Sequence, residues 1–219
     1  MTSVKGFESG QSIRRGWEIF KANALYLVLV FVIVSAVYGV IERAEAYEER
    51  YPFPVGLMIR FGSMIAFALV ELAIINVALK MARGAEATFD HLISGISVFI
   101  KYLIGSILYY VVIVAGLFVL VLPGIYLAIK YGFYGYLILE EDLDPLEAFK
   151  TSARMTDGIK LELFFYYILL ILINVLGLLC FVVGVFVSWP VTRVALASVY
   201  MELREQVRAP VVSPPISEG

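Results

Sequence analysis

Four apolar runs, residues 24–41, 61–79, 102–129 and 163–192, dominate the 219-residue chain and constrain its fold more than any other feature. A helix that crosses a hydrocarbon core of about 30 Å needs about 20 mostly apolar residues. The first two runs meet or approach that length once. The last two overshoot it, since at ~1.5 Å per residue they would reach roughly 42 and 45 Å as single helices. Each must turn back. Pro123-Gly124 offers the turn in one, and Gly184, with Pro190 beyond it, in the other. The pattern predicts an all-α polytopic membrane protein with six spans, at about 24–42, 57–79, 102–121, 124–140, 162–182 and 185–203. Composition agrees, with 61% hydrophobic and 16% charged residues and a mean hydropathy of +0.89. Soluble domains carry about 25% charged residues.

The placement of charge predicts orientation. Lys5, Arg14, Arg15 and Lys21 precede the first span, and Lys80, Arg83 and Lys101 lie between the second and third. Lys150, Arg154 and Lys160 separate the fourth and fifth, and Arg204 and Arg208 follow the sixth. The opposite side has only Arg43 and Arg50, among glutamates. The positive-inside rule then puts both termini in the cytoplasm of a multi-pass protein of the cell membrane. The first span reads as retained rather than as a cleaved signal, because its apolar stretch is long and its polar leader mixed in charge. The sole cysteine, Cys180, lies in an apolar run and the sole histidine is His91, so no disulfide framework, metal site or cofactor is expected. Membrane lipids are the expected partners; nucleic acid is not.

An amphipathic segment precedes each pair of spans on the cytoplasmic side, and each is expected to lie in the membrane interface. In SIRRGWEIFK, Ile13, Gly16, Trp17 and Phe20 share one helical face. TFDHLISGISVFIK, with Thr88 as its N-cap, presents Phe89, Leu92, Ile93, Ile96 and Phe99. DPLEAFKTSARMTDG opens with Asp144 as cap, Pro145 in the first turn and Glu147 in a box-like position, and stops at Gly158. Trp17, Phe20, Phe89 and Phe149 are the expected membrane contacts of these helices. Superposing the segments aligns Gly16 with Gly95 and Ser152. Further on, Ile59-Arg60-Phe61-Gly62 aligns with Ile129-Lys130-Tyr131-Gly132 and, more loosely, with Thr192-Arg193-Val194-Ala195. The single membrane domain, 1–205, is thus expected to hold three hairpin units, about 9–82, 88–141 and 144–205, before a short disordered cytoplasmic tail at 206–219.

Charged residues inside spans cost about 2.5–3.5 kcal/mol each on insertion scales and face a cavity or a partner. Arg60 lies six residues past Pro54, roughly 9 Å along a helix, close enough to snorkel to the outer surface. Lys130 sits between that condition and full burial, while Arg193 and Glu71 fall near the midplane. Glu71 follows Arg60 by eleven residues, about 16 Å of helix, so the two cannot pair. Glu71 is expected to meet Arg193 first and Lys130 second, or polar neighbours such as Asn76, Asn174 or a tyrosine. One reading is a buried pair that fixes helix register. The other is a ligand site in which Arg60, Lys130 and Arg193 converge around a threefold axis and hold a phosphate or carboxylate headgroup. Catalytic constellations are absent: no HExxH, phosphate loop or GxSxG occurs. The acidic cluster Glu140-Glu141-Asp142-x-Asp144 lacks the spacing of a calcium loop and reads as a solvated helix end.

LPGIYLAIKYGFY, followed by DLDPLEAFKTSARMTDG and a long apolar run, resembles the signature of a group of uncharacterised prokaryotic six-span integral membrane proteins. GWEIFKANALYLV extends the resemblance toward the start. A related region forms the membrane domain of some glycerophosphodiester phosphodiesterases, which implies a connection with lipid or envelope biology. It brings no catalytic residues to this chain, which has no room for the soluble phosphodiesterase domain. Where the signature often has Arg, this chain has Lys130, which forgoes bidentate phosphate recognition. The sequence therefore points to a non-enzymatic membrane protein that binds or moves an anionic lipid or amphiphile. The alternative is a structural, membrane-shaping or partner-docking module acting through its amphipathic helices.

Overall fold

The computed structural model describes residues 6–46, 50–180 and 183–208, and no strand occurs among them. Its helices are α1 (Ser9–Ala22), α2 (Ala24–Ala46), α3 (Phe53–Ala82), α4 (Phe99–Val119), α5 (Val121–Tyr131), α6 (Tyr134–Glu141), α7 (Pro145–Met155), α8 (Lys160–Leu179) and α9 (Val185–Arg208). Five segments are long and apolar enough to cross a membrane: Ala24–Ala46, Phe53–Ala82, Phe89–Val119, Val121–Glu141 and Lys160–Leu179. Their outward rows, such as Leu25, Ile104, Phe118 and Leu172, are exposed large hydrophobics, as lipid-facing helices require. Helix α9 is not among the five. Its 24 residues carry Ser188, Thr192, Arg193 and Ser198 within the span expected at 185–203. Of the tail expected at 206–219, residues 206–208 continue this helix and the rest lies outside the described residues.

Both overlong apolar runs are interrupted, but the first at a residue the sequence did not suggest. Leu120 is extended, with φ −166° and ψ 154°, and separates α4 from α5. Pro123 falls inside the first turn of α5, where its missing N–H costs no intrahelical bond. Gly124 instead permits close packing: a Cβ there would lie 2.5 Å from the Leu117 side chain. In the second run Gly184 plays that packing part as well, with Gly177 carbonyl oxygen directly against it. Asn174 then fastens α8 to α9, donating to Thr192 Oγ1 at 3.0 Å and accepting from Ser188 Oγ at 3.2 Å.

The span expected as one helix at 124–140 is broken at Gly132-Phe133. Side chains of α7 take over the interrupted backbone bonds. Ser152 Oγ accepts from Phe133 N–H at 3.2 Å and donates to Lys130 carbonyl at 3.0 Å, and Thr156 Oγ1 donates to the same carbonyl at 3.2 Å. Insertion of this kind is a recognised cause of helix breaks.

Two of the three amphipathic segments turn their apolar faces to protein. Helix α1 packs along α9, with Gly16 so close that a Cβ would sit 2.6 Å from Val191 carbonyl oxygen. Helix α7 buries Ala148, Phe149, Ser152 and Met155 against α6 and its neighbours. The middle segment is not a continuous helix but two 3₁₀ turns, Phe89–Leu92 and Ile96–Val98, packed on α3. Neither Thr88 nor Asp144 caps through its side chain. Thr88 offers its carbonyl to Tyr26 O–H, and Asp144 lies 3.5 Å from Lys101. Gly158 does close α7, at φ +85°, a conformation that favours glycine.

The acidic cluster is an anchor rather than a solvated helix end. Arg204 forks onto Glu141, both bonds 2.5 Å, and Arg208 reaches the same carboxylate at 2.7 Å. Arg83 pairs with Glu140, and Lys101 with Asp142 at 2.9 Å. One end of α3, α4, α6 and α9 is thereby tied together.

Candidate functional site

The three cations expected to converge lie in three different cavities. Arg60 lines a space of about 530 Å³ with Glu45, Ser63 and Ser106. Arg193 lines another, of about 550 Å³. Lys130 opens onto neither, but onto a groove of about 770 Å³ between α4, α5 and α7. Among the described residues no single cavity is lined by all three. Gly95 packs against Leu72 and Asn76 of α3, as Gly16 does against Val191 and Ala195 and Ser152 against Lys130 and Phe133. Judged by these contacts, the part of α3 that corresponds to Lys130 and Arg193 is near Glu71, about three turns beyond Arg60.

The Lys130 groove is built from the helix break upward. Bonds from Ser152 and Thr156 fix the Lys130 carbonyl, which sets where its side chain leaves α5. Lys150 and Arg154 stand one turn apart on α7 and line the same groove. Leu108, Val112, Leu146 and Phe149 supply apolar wall, and no carboxylate is among the lining residues. Lys130 Nζ is 5.2 Å from the centroid of Tyr131 and 6.0 Å from that of Tyr126. Lys160 Nζ approaches Tyr126 from elsewhere at 5.5 Å while bonded to Asp157. Cation–π contacts hold ammonium groups over apolar surface without neutralising them. Arg154 donates to Thr151 Oγ1 at 3.0 Å. The arrangement offers positive charge at one edge of an apolar trough, which is the chemistry of an anionic amphiphile.

Glu71 meets Arg193, Oε2 to Nη1, at 3.5 Å. Tyr38 O–H donates to Glu71 Oε1 at 2.9 Å, and the Arg193 guanidinium lies 5.2 Å from the Trp189 ring. The two side chains retain 24% and 33% exposure, so the pair faces open space rather than a sealed core. Glu71 lines both the Arg60 cavity and the Arg193 cavity, as do Tyr102, Tyr110 and Tyr134. Asn76 is engaged elsewhere, donating to His91 carbonyl and Ser94 Oγ at 2.7 Å each.

The expected membrane contacts divide. Trp17 and Phe89 are exposed. Phe20 is buried at the α1–α9 contact, and Phe149 is buried against Tyr109, Tyr131 and Tyr134, with centroids 6.5, 4.9 and 5.4 Å away. These two rings pack inside the protein because α9 and α6 cover the faces that carry them. In the sequence Lys150 and Arg154 read only as markers of orientation, whereas the fold brings them to the groove that Lys130 lines. Their i, i+4 spacing on an amphipathic helix was the available signal.

A family model described as a domain of unknown function, DUF7847, matches residues 77–213. The match takes in Lys130, Lys150, Arg154 and Arg193 and leaves out Arg60 and Glu71. No curated protein and no solved structure matches the chain, and nothing among the comparisons connects it with glycerophosphodiester phosphodiesterases.

Proposed function

We propose that this chain, which belongs to the DUF7847 family, is a non-enzymatic membrane protein that binds the headgroup of an anionic lipid or similar amphiphile in the Lys130 groove. The observation that carries this reading is the grouping of Lys130, Lys150 and Arg154 on one trough walled by Leu108, Val112, Leu146 and Phe149. Arg154 supplies a planar fork for phosphate oxygens, and the two lysines add point charges. Leu108, Val112 and Leu146 lie where an acyl chain would run. In this reading α9 is a sixth span whose polar residues are covered by α3 and α8, and three hairpins leave both termini in the cytoplasm. The contacts of Gly16, Gly95 and Ser152 support a ring of three units, each leading segment packing on the second span of another unit.

The rival role, membrane shaping or partner docking through amphipathic helices, has less support. Helices α1 and α7 spend their apolar faces on α9 and α6, which leaves Phe89, Ile93 and Ile96 of the middle segment outward. Lipid copurification tests the choice. Purified full-length protein is expected to retain anionic phospholipid seen by native mass spectrometry. Lys130→Gln with Lys150→Gln and Arg154→Gln should reduce it at least about tenfold, as loss of a few charge-assisted bonds implies. Retention unchanged in that variant, with normal thermal stability, refutes the site.

A further inference from the structure

The Glu71 cavities differ from the Lys130 groove in one respect that decides what they bind: their charge is balanced. Glu71 and Arg193 stand in contact, and both line the cavity of about 550 Å³. Tyrosines form much of the remaining wall, among them Tyr102, Tyr109, Tyr134, Tyr136 and Tyr167. On the far side of Glu71 the second cavity brings Glu45 and Arg60, again one charge of each sign. The rim of the Arg193 cavity reaches the outside of the bundle at Tyr110 and Ile171, whose exposures are 57% and 61%.

We infer that this chamber is a second ligand site, selective for a zwitterion: a molecule carrying an ammonium and a phosphate or carboxylate a few ångströms apart. The reason is electrostatic. Removing one member of an ion pair that is mostly shielded and lies within an apolar segment is unfavourable, because the other charge is left uncompensated. A lone anion drawn to Arg193 would displace Glu71, and a lone cation drawn to Glu71 would strand Arg193. A zwitterion inserted across the pair satisfies both, with its ammonium against Glu71 and the tyrosine faces and its anionic group against Arg193. The pair is suited to opening, since its single contact is long at 3.5 Å and each partner has a second hold, Tyr38 O–H for Glu71 and the Trp189 ring for Arg193. The inference stands apart from the Lys130 groove, where Lys130, Lys150 and Arg154 gather on one apolar wall.

Trp189 provides the readout, because the guanidinium over its ring moves when the pair opens. With Trp17→Phe it is the sole tryptophan. The Lys130→Gln, Lys150→Gln, Arg154→Gln background silences the first groove, so the two sites fail independently. Titrations of this protein in detergent use phosphatidylethanolamine, phosphatidylglycerol of the same chains, and soluble glycerophosphoethanolamine, a phosphodiester with one charge of each sign. Expected is a saturable Trp189 response with phosphatidylethanolamine bound at least about tenfold more tightly than phosphatidylglycerol. Glycerophosphoethanolamine matching the lipid identifies a soluble zwitterion; a response only to the lipid identifies a headgroup. Glu71→Gln should invert the preference toward phosphatidylglycerol. If that variant does not fold, the exchange Glu71→Arg with Arg193→Glu keeps the pair and should keep the zwitterion preference. Equal affinity for both lipids, no saturable response to either zwitterion, or a preference unmoved by Glu71→Gln or lost on exchange overturns the inference.

Discussion

Replacing Ser152 by alanine removes one oxygen and should do so at a disproportionate cost. Ser152 is fully buried, and its hydroxyl both accepts from Phe133 N–H and donates to Lys130 carbonyl. Phe133 is also fully buried, so in Ser152→Ala its N–H has no nearby water to turn to. An orphaned buried donor costs about 1–3 kcal/mol. The carbonyl loses less, because the Thr156 hydroxyl, whose one proton is shared between the Ser152 carbonyl at 3.1 Å and the Lys130 carbonyl at 3.2 Å, can turn to it. Thr156→Val is the matching control: it leaves Lys130 carbonyl bonded to Ser152 and should cost under about 1 kcal/mol. At roughly 2–4 °C per kcal/mol for a chain of this size, Ser152→Ala should lower Tm by about 2–12 °C and Thr156→Val by less. The double variant strips both side-chain donors from the carbonyl and should fall below the sum of the singles. Differential scanning fluorimetry of the purified protein in detergent reads all three. A Ser152→Ala protein as stable as wild type, or a Thr156→Val protein less stable than the Ser152→Ala protein, would show that Ser152 does not hold the helix break.

Three further outcomes follow from other contacts. Cys180 is exposed at the reversal between α8 and α9, so on intact cells a membrane-impermeant maleimide should label it; labelling confined to inverted vesicles would reverse the orientation. Glu141→Ala leaves Arg204, whose side chain is 14% exposed, without its fork, and should cost about 2–4 kcal/mol, whereas Arg208→Ala, at 53% exposure, should cost under about 1 kcal/mol in the same melt. Gly16→Leu drives a side chain into the Val191 and Ala195 backbone and should detach α1, costing about 1–3 kcal/mol and exposing Arg14 and Arg15 to trypsin well before the other helices open.

The parts of the fold that depend on length and apolarity were legible, because a bilayer sets a fixed distance that a run either fits or exceeds. The runs 102–129 and 163–192 are too long for one span, and neither is a single helix: α4 gives way to α5 in the first and α8 to α9 in the second. The exact turning residue was not readable. Pro123-Gly124 carries a turn signature, yet nothing local distinguishes glycine needed for backbone freedom from glycine needed for the approach of Leu117. Amphipathic segments posed a similar ambiguity. A stripe such as Ile13, Gly16 and Phe20 fits lipid and fits a neighbouring helix equally well, and only the presence of α9 decides. The break at Gly132-Phe133 depends on Ser152 and Thr156, which reach it from another helix.

The role of each buried cation was harder to read than its existence, because role depends on which carboxylate shares its cavity. Arg193 and Lys130 look alike in sequence, each a lone positive charge in an apolar run. In the folded chain Glu71 compensates the first, while Lys150 and Arg154 add to the second. The same side-chain charge thus serves a neutral chamber in one place and a positive trough in the other. The local match of Arg60 with Lys130 misled for a related reason. Four residues aligned on chemistry, but Gly95 meets α3 at Leu72 and Asn76, so the first helix pair presents an acid near the level where the others present a base. That one inversion of sign converts an expected anion cage into an ion pair. It also predicts that Glu71→Lys, which would restore a cation at that level, should leave Arg193 facing a like charge and the Arg193 cavity open to anions. Phosphatidylglycerol binding reported by Trp189 should then rise above that of phosphatidylethanolamine, and a variant that still favours the zwitterion would show that charge balance at Glu71 does not govern the chamber.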